Sequence, residues 1–405
     1  MQVDALHVAA SRDPTLVCLN VKFSPNLGDG LLSECLEQAL VGHGAHADTT
    51  SVDLAGRTAY GQTMAGRGAV MKVLDALPPG LRNLAVRAPL AVQSRRKWAP
   101  HYSTGITGAD AIAIGGGNLL SDQDLNFPTK LALALRTCGH CHLPVAFFAC
   151  GMGGTWTGEG VRRMQGALRA CPVRAVFLRD EMSKDRWDNR FAEVSGQEAV
   201  VVRDPGLLAL DTYGRVRKAA GQEPVIGVGI MSHVAVRYHA EARQSSADLM
   251  KWYVDLVGAL AAKGAQIVVF TNGASEDNTT LHALQPELAA FGDRVRLVVP
   301  DTPRELSDIV GALNGLVAYR MHALISAYSH GVPSLALRWD DKIDAFLASI
   351  GRSDWLDDPT DLLAEAAADR VLEAAEQGVD TAVHAQVTQE ARQDVGRLFQ
   401  ALSSA

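Results

Sequence analysis

The chain has 405 residues, 47% of them hydrophobic and 20% charged, which suits two ordinary domains with buried cores. A net charge of −7 excludes a surface built to hold nucleic acid or an anionic membrane. No uncharged apolar run reaches spanning length, the first 14 residues lack a secretory pattern, and six scattered cysteines fit a reducing compartment, so a cytoplasmic protein is expected.

The predicted elements alternate between strand and helix. Residues 15–21 form a short buried strand, followed by Asn26-x-Gly28-Asp29 at the turn into a helix over residues 31–41. The glycines let backbone approach a ligand, and Asp29 sits at the helix start as either an N-cap or a group facing a cleft. As an N-cap it would accept backbone N–H bonds and be a poor proton donor. A strand over 48–54 leads to a stretch rich in Gly, Thr and polar residues over 56–68, then a partly helical stretch over 64–77, and the segment 56–105 is expected to hold lid loops. Arg82, Arg87, Arg95, Arg96 and Lys97 near Trp98 read as a solvated helical face more readily than as an acceptor contact. A buried strand over 109–114 ends in Gly115-Gly116-Gly117-Asn118, which lacks the third glycine of a dinucleotide fingerprint but can make a nest of N–H donors for an anion.

A helix over 127–137 precedes Cys138-Gly-His-Cys141. The cysteine pair lies at the wrong helix end for redox use and has no second pair to complete a zinc site, so no metal centre is expected. Strands over 143–149, 175–178 and 200–202 end in Gly151–Gly154, Arg179-Asp180-Glu181 and Arg203-Asp204-Pro205. The domain plan is an N-terminal Rossmann-like unit over 1–210, a linker over 211–223, a second unit over 224–384, and a helix over 385–405 that packs back on the first. In the second unit, strands are expected at 225–230, 266–270, 295–299, 316–318 and 334–337, with a second lid candidate at 233–245 carrying Arg237, Tyr238 and His239.

The organising stretch runs from Leu316 to Phe346. Arg320 and His322 stand where a strand gives way to a helix, His330-Gly331 closes that helix, and Asp340 caps the next, with Arg338 and Lys342 beside it. In open parallel sheets ligands bind beyond the strands' carboxyl ends, and a helix N-terminus among cations is an anion site. The alternative is that Arg320 and His322 merely cap and pair with nearby carboxylates.

Arg320-Met-His322-Ala, His330-Gly-Val-Pro333 and Asp340-Asp-Lys342 resemble the C-terminal signature of the polysaccharide pyruvyl transferase family, and Asn26-x-Gly28-Asp29, the glycine triplet, Arg179-Asp-Glu-x-Ser183 and Asp204-Pro205 extend the resemblance. It implies an α/β fold of two doubly wound, mostly parallel-sheet domains facing a GT-B-like cleft. It also implies phosphoenolpyruvate as donor, with no further cofactor, and a sugar or glycan-precursor acceptor in exopolysaccharide-type biosynthesis. Under that reading Arg320, His322, Lys342 and Arg338 bind the donor, His322 is the acid, and Asp29 is the base. Asn26, Gly28, Gly116, Gly117 and Asn118 line the cleft, and the acceptor is met by first-domain loops between Gly56 and Gly105. A nucleotide-sugar glycosyltransferase of the same architecture and a non-catalytic anion-binding member are the alternatives.

Overall fold

The computed structural model describes residues 13–62, 89–216, 223–233 and 245–404. Residues 63–88 of the expected lid segment, with the helical stretch expected at 64–77 and with Arg82 and Arg87, and the segment carrying Arg237, Tyr238 and His239 lie outside them.

The first domain contains β1 (Leu16–Asn20), α1 (Leu27–Gly42), β2 (Thr50–Asp53), α2 (Ala99–Gly105), β3 (Ala111–Gly115), α3 (Asn126–His140), β4 (Val145–Cys150), α4 (Gly158–Ala170), β5 (Val173–Leu178), α5 (Glu181–Trp187) and β6 (Ala199–Val201). The second contains β7 (Val225–Gly229), α6 (Ser246–Ala262), β8 (Gln266–Phe270), α7 (Ser275–Leu288), β9 (Val295–Val298), α8 (Pro303–Gly311), β10 (Gly315–Ala318), α9 (Met321–Ser329), β11 (Ser334–Leu337), α10 (Asp341–Ser349), β12 (Leu356–Asp357) and α11 (Ala364–Gln377). The chain ends in α12 (Thr381–Ser403).

Each domain holds one six-stranded sheet, ordered β2-β1-β3-β4-β5-β6 and β12-β11-β10-β7-β8-β9, and every strand pair is parallel. β1, β3, β4, β10 and β11 are buried along their whole length, as strands covered on both faces must be, which is why they read as apolar runs rather than alternations. Strand order reverses between β1 and β3 in one sheet and between β7 and β10 in the other, so each domain has one switch-point crevice at its carboxyl edge. The two crevices face each other in a GT-B-like arrangement.

Helix entry follows side-chain chemistry. Asn26, Thr157, Asp180, Thr302, Asp340 and Asp380 each accept a backbone N–H of the first turn, and Ser245 with Asp248 completes a capping box. The expected cap at Asp29 is therefore corrected: Asn26 caps α1, and Asp29 stands in its first turn. The twelfth strand, two residues long, carries no readable pattern and exists because β11 offers it a partner.

Apolar packing ties the halves together. α1 packs on α8 and α9 of the second domain, and the turn Pro205–Leu208 packs on α9 with Leu207 and Leu208 buried. α12 returns across α1 and the β3–β5 part of the first sheet, burying Val387, Ala391, Val395, Leu398 and Leu402. Arg203 fixes this return. Its guanidinium donates to Glu390 at 2.7 and 3.0 Å and to the Ser349 carbonyl of α10, and its N–H donates to Asp394. Leu398→Ala should cost about 3 kcal/mol, because a fully buried side chain leaves a cavity. Urea unfolding measures it, and a midpoint equal to wild type would contradict the packing role of α12.

Candidate functional site

The second crevice is built from β10 outward. Arg320 follows the strand and opens α9, so its backbone carbonyl accepts the first helical bonds while its side chain crosses the crevice toward α7. There Nε and Nη2 donate to Asp277 Oδ2 at 2.9 and 2.6 Å, and Asp277 Oδ1 accepts the N–H of Ser232 beyond β7. Asp277 is fully buried, and burial pushes its carboxyl up while Arg320 pulls it back. The expected free bidentate clamp is thus corrected. A buried carboxylate already holds one edge of the guanidinium, which leaves Nη1 for a ligand.

His322 lies in the first turn of α9, against the first domain. A Cβ added to Gly28 would lie 2.4 Å from the His322 Cβ, so α1 can pass here only with glycine at that position. Asp29 Oδ1 is 3.6 Å from His322 Nδ1, too far for a hydrogen bond. Burial drives the His322 imidazole down to about 3, and the charges of Arg179, Lys342 and Arg320 push the same way. His322 is therefore neutral in the free protein, a correction to the expectation that it titrates near working pH. Asp29 moves oppositely, raised to about 6 by burial and drawn back by Ser24, Arg57 and Arg320, so at neutral pH it is ionised.

Lys342 donates to Asp340 at 3.0 Å and stands over the Trp339 ring, 4.1 Å from its centroid. Burial lowers its pKa against the pull of Asp340. Arg338 is corrected too: half-exposed and tied to Asp344 at 2.9 Å, it is not among the cations that act on His322.

The first crevice supplies the rest. Asn26 Oδ1 accepts the Gly28 N–H at 3.3 Å. Gly116 and Gly117 take φ of 83° and 72°, the left-handed region that requires glycine. A Cβ on Gly117 would lie 3.5 Å from Asp29 Oδ1, so the expected anion nest lies beside the protein's own carboxylate. Asn118, half-buried, turns its carbonyl to Ser121. Arg95, Arg96 and Lys97 are exposed on the helical segment before α2, while Trp98 is buried.

Sequence reasoning missed Arg179. It ends β5 with its side chain 7% exposed, and Nε is buried with no hydrogen-bond partner. Asp180 Oδ2 is 3.6 Å away, beyond bonding range. Its guanidinium lies flat over Gly151, where a Cβ would come within 2.3 Å of Nη2. The signal was the Arg-Asp-Glu-x-Ser run at a strand's carboxyl end, read for its caps rather than for its arginine. Asp277, which orients Arg320 from 43 residues away, left no sequence signal. Among the described residues no group of three or more His, Cys, Asp or Glu side chains is placed to hold a metal ion, and no helix is long and apolar enough to cross a membrane.

The sequence profile named "Polysaccharide pyruvyl transferase" matches residues 26–341. The chain belongs to this family. The match takes in Asn26, Arg179, Arg320 and His322 and both crevices. No curated protein matches the chain. In overall fold it is similar to a Listeria monocytogenes protein described as a UDP-N-acetylglucosamine 2-epimerase (TM-score 0.55, 13% identity, 97% of this chain and 96% of that one). It is also similar to S. aureus MnaA solved with UDP (TM-score 0.54, 10% identity, 95% and 94%) and to a further UDP-N-acetylglucosamine 2-epimerase (TM-score 0.51, 13% identity, 96% and 94%). At these identities the likeness concerns the fold.

Because the folded protein holds His322 below its ordinary pKa, stability is full above about pH 6.5 and falls as pH drops toward 3. Between pH 8 and pH 5 this one group should cost roughly 2 kcal/mol. His322→Gln should lose correspondingly less stability over that interval in urea titrations, and an identical loss in both proteins would contradict a buried neutral imidazole.

Proposed function

We propose that this family member transfers pyruvate from phosphoenolpyruvate to hydroxyls of a sugar or glycan precursor, releasing phosphate. The observation that carries the reading is Arg179, which lines the crevice with Lys342 and keeps a buried Nε without a hydrogen-bond partner, Arg320 being the third cation that acts on His322. Buried polar groups are almost always bonded, so a guanidinium donor left open in a cleft awaits an acceptor. A small ligand with a phosphate and a carboxylate matches donors on both domains: Arg179 from one, Arg320 Nη1 and Lys342 from the other.

Donor binding would change the protonation of the site. Burial and then three cations hold His322 neutral, and a bound multivalent anion offsets the cations' charge, raising its pKa so that it takes up a proton. His322 then delivers that proton to the donor's methylene carbon, and C2 becomes electrophilic. A sugar hydroxyl adds to C2 and gives its proton to ionised Asp29. A second hydroxyl replaces the phosphate, its proton leaving with that group, and the ketal closes. Because the 3.6 Å between Asp29 and His322 is not a hydrogen bond, the proton gained by Asp29 returns to His322 through solvent. Removing either end of this relay leaves the fold intact but the chemistry incomplete.

The six cysteines are all free, which supports a reducing, cytoplasmic setting. The test is phosphate release from phosphoenolpyruvate in the presence of a panel of sugar diols. Wild type should release phosphate only with a diol present, and Arg179→Met and His322→Gln should each lower the rate about 100-fold or more. Consumption of UDP-hexoses with no phosphoenolpyruvate-dependent release would replace this reading with a glycosyltransferase.

A further inference from the structure

The cleft continues past the cation cluster. From Arg179 and Lys342 it runs toward β6 and α12 as a cavity of about 760 Å³, in the range that holds drug-sized ligands and more than a three-carbon donor fills. Leu207, Met321, Ile325 and Phe346 give it apolar walls. In its lining lies Asp204, 6% exposed. Oδ1 caps the turn after β6 by accepting the Gly206 N–H at 2.9 Å, which is all a cap needs. Oδ2 is buried and has no hydrogen-bond partner. A carboxylate oxygen in that state lacks a donor, and leaving it so costs about 1–3 kcal/mol. Arg179 is near enough for its charge to draw the Asp204 carboxyl down, but it makes no hydrogen bond to Oδ2, so the partner this oxygen fits is a hydroxyl. Apolar walls suit the C–H faces of a pyranose ring, as the buried carboxylate suits its O–H edge.

We propose that this groove is the acceptor site: a pyranoside lies against Met321, Ile325 and Phe346 with a hydroxyl donating to Asp204 Oδ2, next to the donor on Arg179. The inference rests on the transfer reaction above and moves the acceptor away from the loops between Gly56 and Gly105. It makes Asp204 a binding residue for the acceptor and leaves Asp29 on the opposite flank of the donor.

Two variants test it. Ala348 is an exposed lining residue on α10, so Ala348→Trp fills the groove mouth without loading the core. Asp204→Asn keeps an oxygen for the Gly206 N–H and turns the second acceptor into a donor. The probes are methyl glucosides, galactosides and mannosides and their methyl disaccharides, followed by saturation-transfer NMR, with phosphoenolpyruvate followed by calorimetry. Wild type should bind at least one glycoside, each variant should weaken it about tenfold or more, and both should bind phosphoenolpyruvate as wild type does. Equal glycoside binding by all three proteins, or none by wild type, overturns the assignment. So does loss of phosphoenolpyruvate binding in either variant alone, which would place these residues under the donor. Wild type that binds glycosides but not phosphoenolpyruvate would leave the groove standing and strike the donor reading instead.

Discussion

Three cations act on one uncharged imidazole, and the site is arranged to hold that imbalance. Burial opposes protonation of His322 most, and Arg179, Lys342 and Arg320 all oppose it further. Two of the cations are anchored by a carboxylate or a ring, Arg320 by Asp277 and Lys342 by Asp340 and Trp339, and Arg179 is seated over Gly151. The donors left over point into a cleft, where they need no reorganisation to meet an anion. A protein that needed only to be stable would not keep a buried guanidinium donor open or an imidazole away from its ordinary pKa; such groups mark functional sites.

The fold exists to bring those groups together. Neither domain owns the site, since Arg179 and Asp29 come from the first domain and Arg320, His322 and Lys342 from the second. The approach is close enough that Gly28 must lack a Cβ beneath His322. α12 and the Arg203 network then hold the first domain against α10 of the second. The resulting geometry leaves two carboxylates with unusual environments, Asp29 and Asp204, both raised to about 6 by burial, one on each flank of the cations.

Much of this was legible in the residues. Apolar runs ending in glycine turns or in charged and polar residues located eleven of the twelve strands among the described residues, and parallel order followed from the alternation with helices. Arg320 and His322 stood out because two chemically distinct groups sat at one strand end. What escaped was non-local. The Asp277–Arg320 pair spans 43 residues, and sequence spacing cannot show which helix start faces which strand end. His322 looked like an ordinary titrating imidazole because its burial leaves no mark in the sequence, and of its three cations only Arg320 is near it in the chain, Lys342 being 20 residues on and Arg179 in the other domain. Arg338 looked equivalent to Lys342, yet strand and helix geometry turn one outward to Asp344 and the other over Trp339. Asp204 read as a cap, and only the coordinates reveal an oxygen the cap does not use.

The most direct measurement is calorimetric titration of phosphoenolpyruvate into wild type and Arg179→Met at neutral pH, in buffers of differing ionisation enthalpy. The account predicts saturable binding with net proton uptake by wild type, and binding weakened by tenfold or more in the variant. Equal affinity in the two proteins, or binding without proton uptake, would contradict it.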